Sequence, residues 1–202
     1  MLSTLGAAAI GYLAGLLPSA DIVAKGLDPR CSGSGNPGAA NITNLLGKRA
    51  GATVFAMDMG KALLAGAIGR SLAGESGANV AASAAVLGHC CPVNCGFRGG
   101  KGVAASLGQM LATFPAYLPV EVALGAVAAK SDFWKDKPVA TVAATCGLWT
   151  GLGWVWARHG LPNLWAPRAG PSMPLAAAAS SAAIVYRFSV EANRTPPAPP
   201  FE

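Results

Sequence analysis

The stretch Gly88–Ala105, GHCCPVNCGFRGGKGVAA, joins two apolar runs and sets a lysine inside a row of glycines, Gly99-Gly100-Lys101-Gly102. Glycine has no Cβ, so consecutive backbone N–H groups can turn toward one point and form a concavity that binds anions. Lys101 adds a full positive charge at the rim. An apolar run opening at Val103 would bring the positive end of a helix to the same place. Two readings are open from this stretch alone. It is a phosphate site at the mouth of a membrane helix, or a cytoplasmic turn whose basic residues only set topology. What flanks it decides the fold.

Outward from that stretch, the chain is strongly apolar. Its 202 residues are 52% hydrophobic and only 12% charged, with a mean hydropathy of +0.43. A soluble domain carries about a quarter charged residues. Half of that, with long Ala/Leu/Val runs, predicts an all-α polytopic membrane bundle. No polar linker divides it, so residues 1–194 read as one domain and the proline-rich 195–202 as a disordered tail. The net charge of +6 does not point to nucleic acid, because the basic residues lie in short loops and form no basic aromatic face. Cys31, Cys90, Cys91, Cys95 and Cys146 lack framework spacing. His89 lies beside three of them, but zinc sites draw on two separated ligand pairs and no second pair follows. Neither a metal nor another cofactor is expected.

In chain order, Leu2–Val23 is the first candidate span. It lacks a basic leader and so reads as a retained helix. Gly6, Gly11 and Gly15 would let it pack closely on a neighbour, and Pro18 would kink or end it. Residues 25–49 are polar, with GSGNPGAAN at their centre. Gly33-Ser34-Gly35-Asn36-Pro37-Gly38 formally fits a dinucleotide fingerprint, but that needs a preceding strand, and Lys25–Ser32 is none. There remains a second anion-friendly loop, with Ser34 as hydroxyl donor and Asn36 and Asn41 as amide donors, or else an ordinary Gly/Pro turn. Ala50–Ile68 is the second span. Asp58 and Lys61 stand i, i+3 within it and can pair on one face, either as a structural ion pair or beside a bound phosphate. Ala78–Val93 is the third. Val103–Ala129 is one overlong helix or a helical hairpin turning near Pro115 and Pro119. Val139–Ala157 and Met173–Tyr186 complete six or seven spans.

Charge arbitrates between six and seven. With the N-terminus outside and seven spans, eleven basic residues lie inside and three outside; with six spans the split is eight to six. The positive-inside rule selects seven, with the C-terminus cytoplasmic. The same parity brings the Ser34 loop, the Lys101 loop and the end of the last helix to one cytoplasmic face.

With these loops in hand, the chain resembles the PlsY-type bacterial membrane glycerol-3-phosphate acyltransferases, which use acyl phosphate as donor. GSGNPGAAN is similar to that family's first motif, GSGNPGATN. Asp58-Met-Gly-Lys61 matches its D-x-x-K, and GHCCPVNCGFRGGKGVA resembles its second motif, GHxFPxxxxFKGGKGVA. The resemblance implies a seven-helix bundle in a bacterial inner membrane, surrounded by lipid. It implies acyl transfer from acyl phosphate to the sn-1 hydroxyl of glycerol 3-phosphate, giving lysophosphatidate and phosphate without an acyl-enzyme. Lys101, Ser34 and His89 are the expected catalytic set, His89 as a helper or a structural hydrogen-bonder. Gly33, Gly35, Asn36, Asn41, Asp58, Lys61, Gly99, Gly100 and Gly102 are the expected substrate-binding set. Two family positions differ: Asn44 stands where the first motif carries an arginine, and Phe188 where the third carries a histidine. The third motif's asparagine could be Asn193 only in a shifted register. These departures favour an alternative, a catalytically altered homologue that binds phosphorylated lipid precursors or serves as a membrane partner. A transporter finds little support, for no inverted repeat with broken helices is visible.

Overall fold

The structure, a computed structural model, describes residues 2–134 and 136–193. The tail expected at 195–202 lies outside the described residues, as does Lys135. Among the described residues all regular structure is helical. Helix α1 (Leu2–Gly15) stops before Pro18, and α2 (Ser19–Ala24) resumes after it. Helix α3 (Ala39–Leu46) is a short helix where the sequence suggested only a polar loop. It follows an extended Gly38 and stops at Gly47, whose φ of +86° suits glycine and ends a helix cheaply.

Helix α4 (Lys48–Cys90) has 43 residues. Straight, it would be about 65 Å long, twice the hydrocarbon thickness. It doubles back instead at Ala73 and Gly74, the latter at φ +59° and ψ −147°. The two arms, 48–72 and 75–90, pack through small residues, with Gly69 and Gly77 backbone against backbone and Gly66 against Ala82. Arg70 pairs with Glu75 across the bend at 2.8 Å and donates to the Ala112 carbonyl. The runs expected as second and third spans are thus the two arms, the first longer than read and the second shifted three residues toward the N-terminus, joined by a two-residue break.

Helix α1 packs into the second arm in the same manner. Gly11 lies on the Ala81 backbone, and Gly15 on Ala85 and Gly88. Gly6 faces open space, so it plays no part in the packing expected of it. Helices α5 (Val103–Thr113) and α6 (Leu118–Lys130) meet at 120° across Phe114 and a turn at Pro115–Tyr117. The bend falls where the prolines suggested. The rings of Phe114 and Tyr117 stack at 5.5 Å, and Trp156 meets Phe114 edge-on. Helices α7 (Pro138–His159) and α8 (Ser172–Ala192) are 22 and 21 residues long, enough for about 30 Å of hydrocarbon.

By length and composition, four helical stretches could cross a membrane, and the bent α5–α6 pair would make a fifth. One of the four is the doubled-back α4. Several polar side chains inside the bundle are bonded to one another, as an apolar surround favours. Ser83 bonds Ser180 at 2.9 Å and Ser180 donates to Gln109 at 2.6 Å, tying α4, α5 and α8; Asn79 donates to Ser172. Asn163 donates to the Thr113 and Pro167 carbonyls at the far end.

Candidate functional site

The glycine loop at 91–102 is held from three sides. Arg30, from the first polar loop, donates Nε to the Arg98 carbonyl at 3.1 Å while its two terminal nitrogens bond Asp21. The hydrogen bonds to Asp21 raise the already high pKa of Arg30, and the Arg30 N–H lowers that of Asp28. Arg187, buried on α8, donates to the carbonyls of Phe97 and Gly99. From α1, Tyr12 donates to the Cys91 carbonyl. Of the two, only Arg187 was singled out in the sequence, as a residue that could replace the missing family groups. Both act on backbone carbonyls, which carry no residue signature.

The glycines serve close approach. Gly99 lies against the His89 and Cys90 carbonyls and the Pro92 ring, and Gly100 against the His89 imidazole at Nε2. The Gly100 N–H donates to the His89 carbonyl at 3.1 Å. Gly102, at φ +86°, caps α5 and passes between Cys90 and Ile184. His89 is therefore enclosed by the loop. Its Nδ1 stands 3.3 Å from Asp58 Oδ1, which Lys61 also meets at 3.0 Å. Lys61 donates in addition to the Leu17 carbonyl. This buried set joins the turn after α1, both arms of α4 and the glycine loop.

Above it opens a cavity of about 380 Å³ walled by Asn36, Asp58, His89, Lys101, Gly102 and Phe188, among others. Asn36 is buried, and its Oδ1 has no hydrogen-bond partner among the described residues. A narrower cleft on the other side of Asp58 and His89 is walled by Lys61, Gly99, Gly100 and Arg30. The structure thus gathers eight of the twelve expected site residues around two adjoining spaces. Four are elsewhere. Asn41 spends its amide on the loop itself, accepting from the Ser34 N–H at 2.9 Å and donating to the Pro29 and Ser32 carbonyls at 3.0 Å. Gly33 and Gly35, at φ +60° and +73°, shape that loop. Ser34 is exposed and walls neither space.

Lys101 is not unaccompanied. Its Nζ lies 2.9 Å from Glu191 Oε1 and 4.9 Å from the centre of the Phe188 ring. The end of α8 therefore reaches the site with Phe188 and Glu191. Asn193 donates back to Ser189 within its own helix. Asn44 is exposed.

Residues 5–195 match the family model described as glycerol-3-phosphate acyltransferase. Among curated relatives, the glycerol-3-phosphate acyltransferase of Thermoanaerobacter sp. (strain X514) is 43% identical over 121 residues, 58% of this chain and 61% of that one. That of Symbiobacterium thermophilum is 41% identical over 136 residues, 66% of this chain and 68% of that one. The match thus spans about three fifths of the length of the first of these relatives. Among solved structures, the crystal structure of PlsY (YgiH), an integral membrane glycerol 3-phosphate acyltransferase in its glycerol 3-phosphate form, aligns with a TM-score of 0.75 at 30% identity, over 95% of this chain and 91% of that one. Its lysophosphatidic acid form aligns at 0.72.

Proposed function

This chain belongs to the glycerol-3-phosphate acyltransferase family, and from that premise we propose that it transfers an acyl group from acyl phosphate to the sn-1 hydroxyl of glycerol 3-phosphate. The products are lysophosphatidate and inorganic phosphate. The observation that carries this reading is the cavity that unites Lys101, Asn36 and His89 at one end of an apolar bundle. In the direct transfer, the hydroxyl oxygen bonds to the acyl carbonyl carbon as the bond from that carbon to the phosphate oxygen breaks. The electron pair leaves with phosphate, which also takes the hydroxyl proton. Lys101 stabilises the charge that grows on the departing phosphate, and a site shielded from water strengthens that effect. The unpartnered Asn36 carbonyl is an acceptor for a substrate hydroxyl. His89, tied to Asp58 and enclosed by Gly99 and Gly100, holds the loop in shape and presents Nε2 at its edge.

The topology proposed with this function is seven crossings, N-terminus outside, in a bacterial inner membrane. It is supported by the charge parity and by the order of contacts. Arg70, Thr113 and Asn163 cluster at one end of the bundle, while Arg30, Lys101 and Glu191 cluster at the other. A second reading, a homologue that binds phosphorylated lipid precursors without turnover, is favoured by Phe188 and Glu191 occupying the space around Lys101.

The deciding experiment is product formation by the purified protein from acyl phosphate and radiolabelled glycerol 3-phosphate. A charge-assisted contact to phosphate contributes roughly 1.5–3 kcal/mol, so Lys101→Ala should cost at least about tenfold in substrate affinity. No lysophosphatidate from the parent, with glycerol 3-phosphate still bound, would select the second reading. Unchanged binding by Lys101→Ala would remove Lys101 from the site.

A further inference from the structure

The ion pairs at the proposed cytoplasmic end differ in how readily an incoming anion could break them, and three show the range. Asp58 and Lys61 share one helix, are 3% and 4% exposed, and also engage His89 and the Leu17 carbonyl. Arg30 grips Asp21 with two nitrogens and the Arg98 carbonyl with a third. Breaking the first would leave a buried charge stranded, which is strongly disfavoured; the second is 14% and 35% exposed, but its guanidinium is held by three hydrogen bonds at once. The Lys101–Glu191 pair is built otherwise. It joins two separate elements through a single contact of Lys101 Nζ with Glu191 Oε1 at 2.9 Å, and its side chains are 31% and 15% exposed. Lys101 also walls the large cavity.

Glu191 is moreover placed where a carboxylate is least welcome. It stands in the last turn of α8, at the negative end of the helix. Its second oxygen, Oε2, is buried without a hydrogen-bond partner among the described residues. One turn back, at i−4 on the same face, the buried Arg187 likewise has an unpartnered Nε. A carboxylate released from Lys101 has a cation with a spare donor beside it.

We propose that Glu191 is a specificity-determining counter-ion of Lys101, released only when a phosphate monoester carrying two negative charges takes its place. The inference deepens the reading above and rests on it for the identity of the site. With Glu191 attached, Lys101 offers little net charge to the cavity. A carboxylate or phosphodiester, with one charge, must compete with a tethered carboxylate of equal charge held beside the lysine, and effective concentration favours the tethered group. A phosphate monoester brings a second charge and further acceptor oxygens, so it wins the exchange. Phe188 keeps the ammonium in place during the exchange through its ring face. The site thereby admits glycerol 3-phosphate and released phosphate and rejects the singly charged headgroups abundant at a membrane surface.

The test is calorimetric titration of the full-length, detergent-purified protein with inorganic phosphate at pH 8 and with dimethyl phosphate, a singly charged probe. The parent should bind phosphate and show no detectable heat with dimethyl phosphate. Glu191→Gln should bind phosphate about two- to tenfold tighter, the range expected for removing a partly buried competing ion pair, and should gain binding of dimethyl phosphate. Both gains should vanish in Lys101→Ala/Glu191→Gln, which shows that they run through Lys101. In turnover, Glu191→Gln should lower KM for glycerol 3-phosphate with kcat within about twofold. Should Glu191→Gln fail to fold, Glu191→Asp keeps the charge, lengthens the contact and should shift phosphate affinity in the same direction. Unchanged or weaker phosphate binding in the folded variants would overturn the proposal. So would a hundredfold fall in kcat at constant affinity, which would make Glu191 a proton-transfer group. A parent that shows the exchange but makes no product would sink the acyltransferase reading and leave this one standing.

Discussion

Replacing Arg187 should disable the site from a position that touches no substrate. Its guanidinium is 2% exposed and bonds the carbonyls of Phe97 and Gly99, the residues on either side of Arg98 and next to the Gly100-Lys101 corner. Hydrogen bonds to a charged group are each worth about 1.5–3 kcal/mol. Arg187→Met keeps the apolar stem and removes both bonds. If only one bond's worth of that energy is lost from the loop's ordered form, affinity for glycerol 3-phosphate should fall roughly ten- to a hundredfold, since about 1.4 kcal/mol is a factor of ten. Arg187→Lys retains the charge but replaces a planar fork with a single ammonium that cannot serve two carbonyls equally, so it should restore little. The assay is KM for glycerol 3-phosphate alongside the melting temperature in detergent. If Arg187→Lys and Arg187→Met both keep KM within about twofold of the parent while folded, the clamp does not hold the loop and the reasoning fails.

Three other outcomes are expected. Gly99→Ala drives a Cβ into the His89 and Cys90 carbonyls and the Pro92 ring, none of which is a flexible side-chain end, whereas Gly6→Ala meets nothing within 4 Å. The first should lose about 1–3 kcal/mol of stability by overpacking, the second almost none, and equal melting temperatures for the two would contradict the packing described. Phe188→His with Asn44→Arg should raise kcat more than affinity, because groups acting mainly in the transition state change turnover; a parent already fast and indifferent to both changes would show that other residues replace them. Single cysteines on a cysteine-free background should leave position 34 protected from an impermeant outside reagent and position 76 reachable, and labelling of position 34 would reverse the orientation.

Helices were legible wherever apolar length alone decided them. Leu2–Val23, the two arms of α4, α7 and α8 all lie within a few residues of the runs that predicted them, because a membrane interior admits hardly any other backbone. The break within α4 was legible in place but not in form. A gap stood between the expected spans Ala50–Ile68 and Ala78–Val93, yet a single glycine at positive φ turns the chain with only two residues outside the helix. Helix α3 was missed because its amphipathic face buries Ile42 and Asn41 under α4 while glycines on both sides give the segment the composition of a turn.

The site was half legible for a related reason. Motif residues announce themselves when a side chain does the work, as with Lys101, Asp58 and His89, or when the absence of one does, as with Gly99, Gly100 and Gly102. Asn41 kept the right type and yet served the loop rather than the cavity, because an amide with one acceptor and two donors can close a turn as well as hold a substrate. Arg30 was counted only as a charge that sets topology, and Arg187 only as a possible stand-in for the missing family residues. In the fold each sits on main-chain carbonyls some 68 and 88 residues away, a partnership no local pattern encodes. The third motif carries the sharpest lesson. Read as a string, its departures from the family looked like damage at Phe188 and an ambiguity at Asn193. In space the helix brings Phe188 and Glu191 to Lys101, three residues apart on one face. The substituted Phe188 and its neighbour Glu191 both meet Lys101, placing an aromatic face and a carboxylate around its ammonium. An aromatic ring and a carboxylate beside one lysine would suit a site that sorts its ligands by charge, and the Glu191 titration asks that question directly.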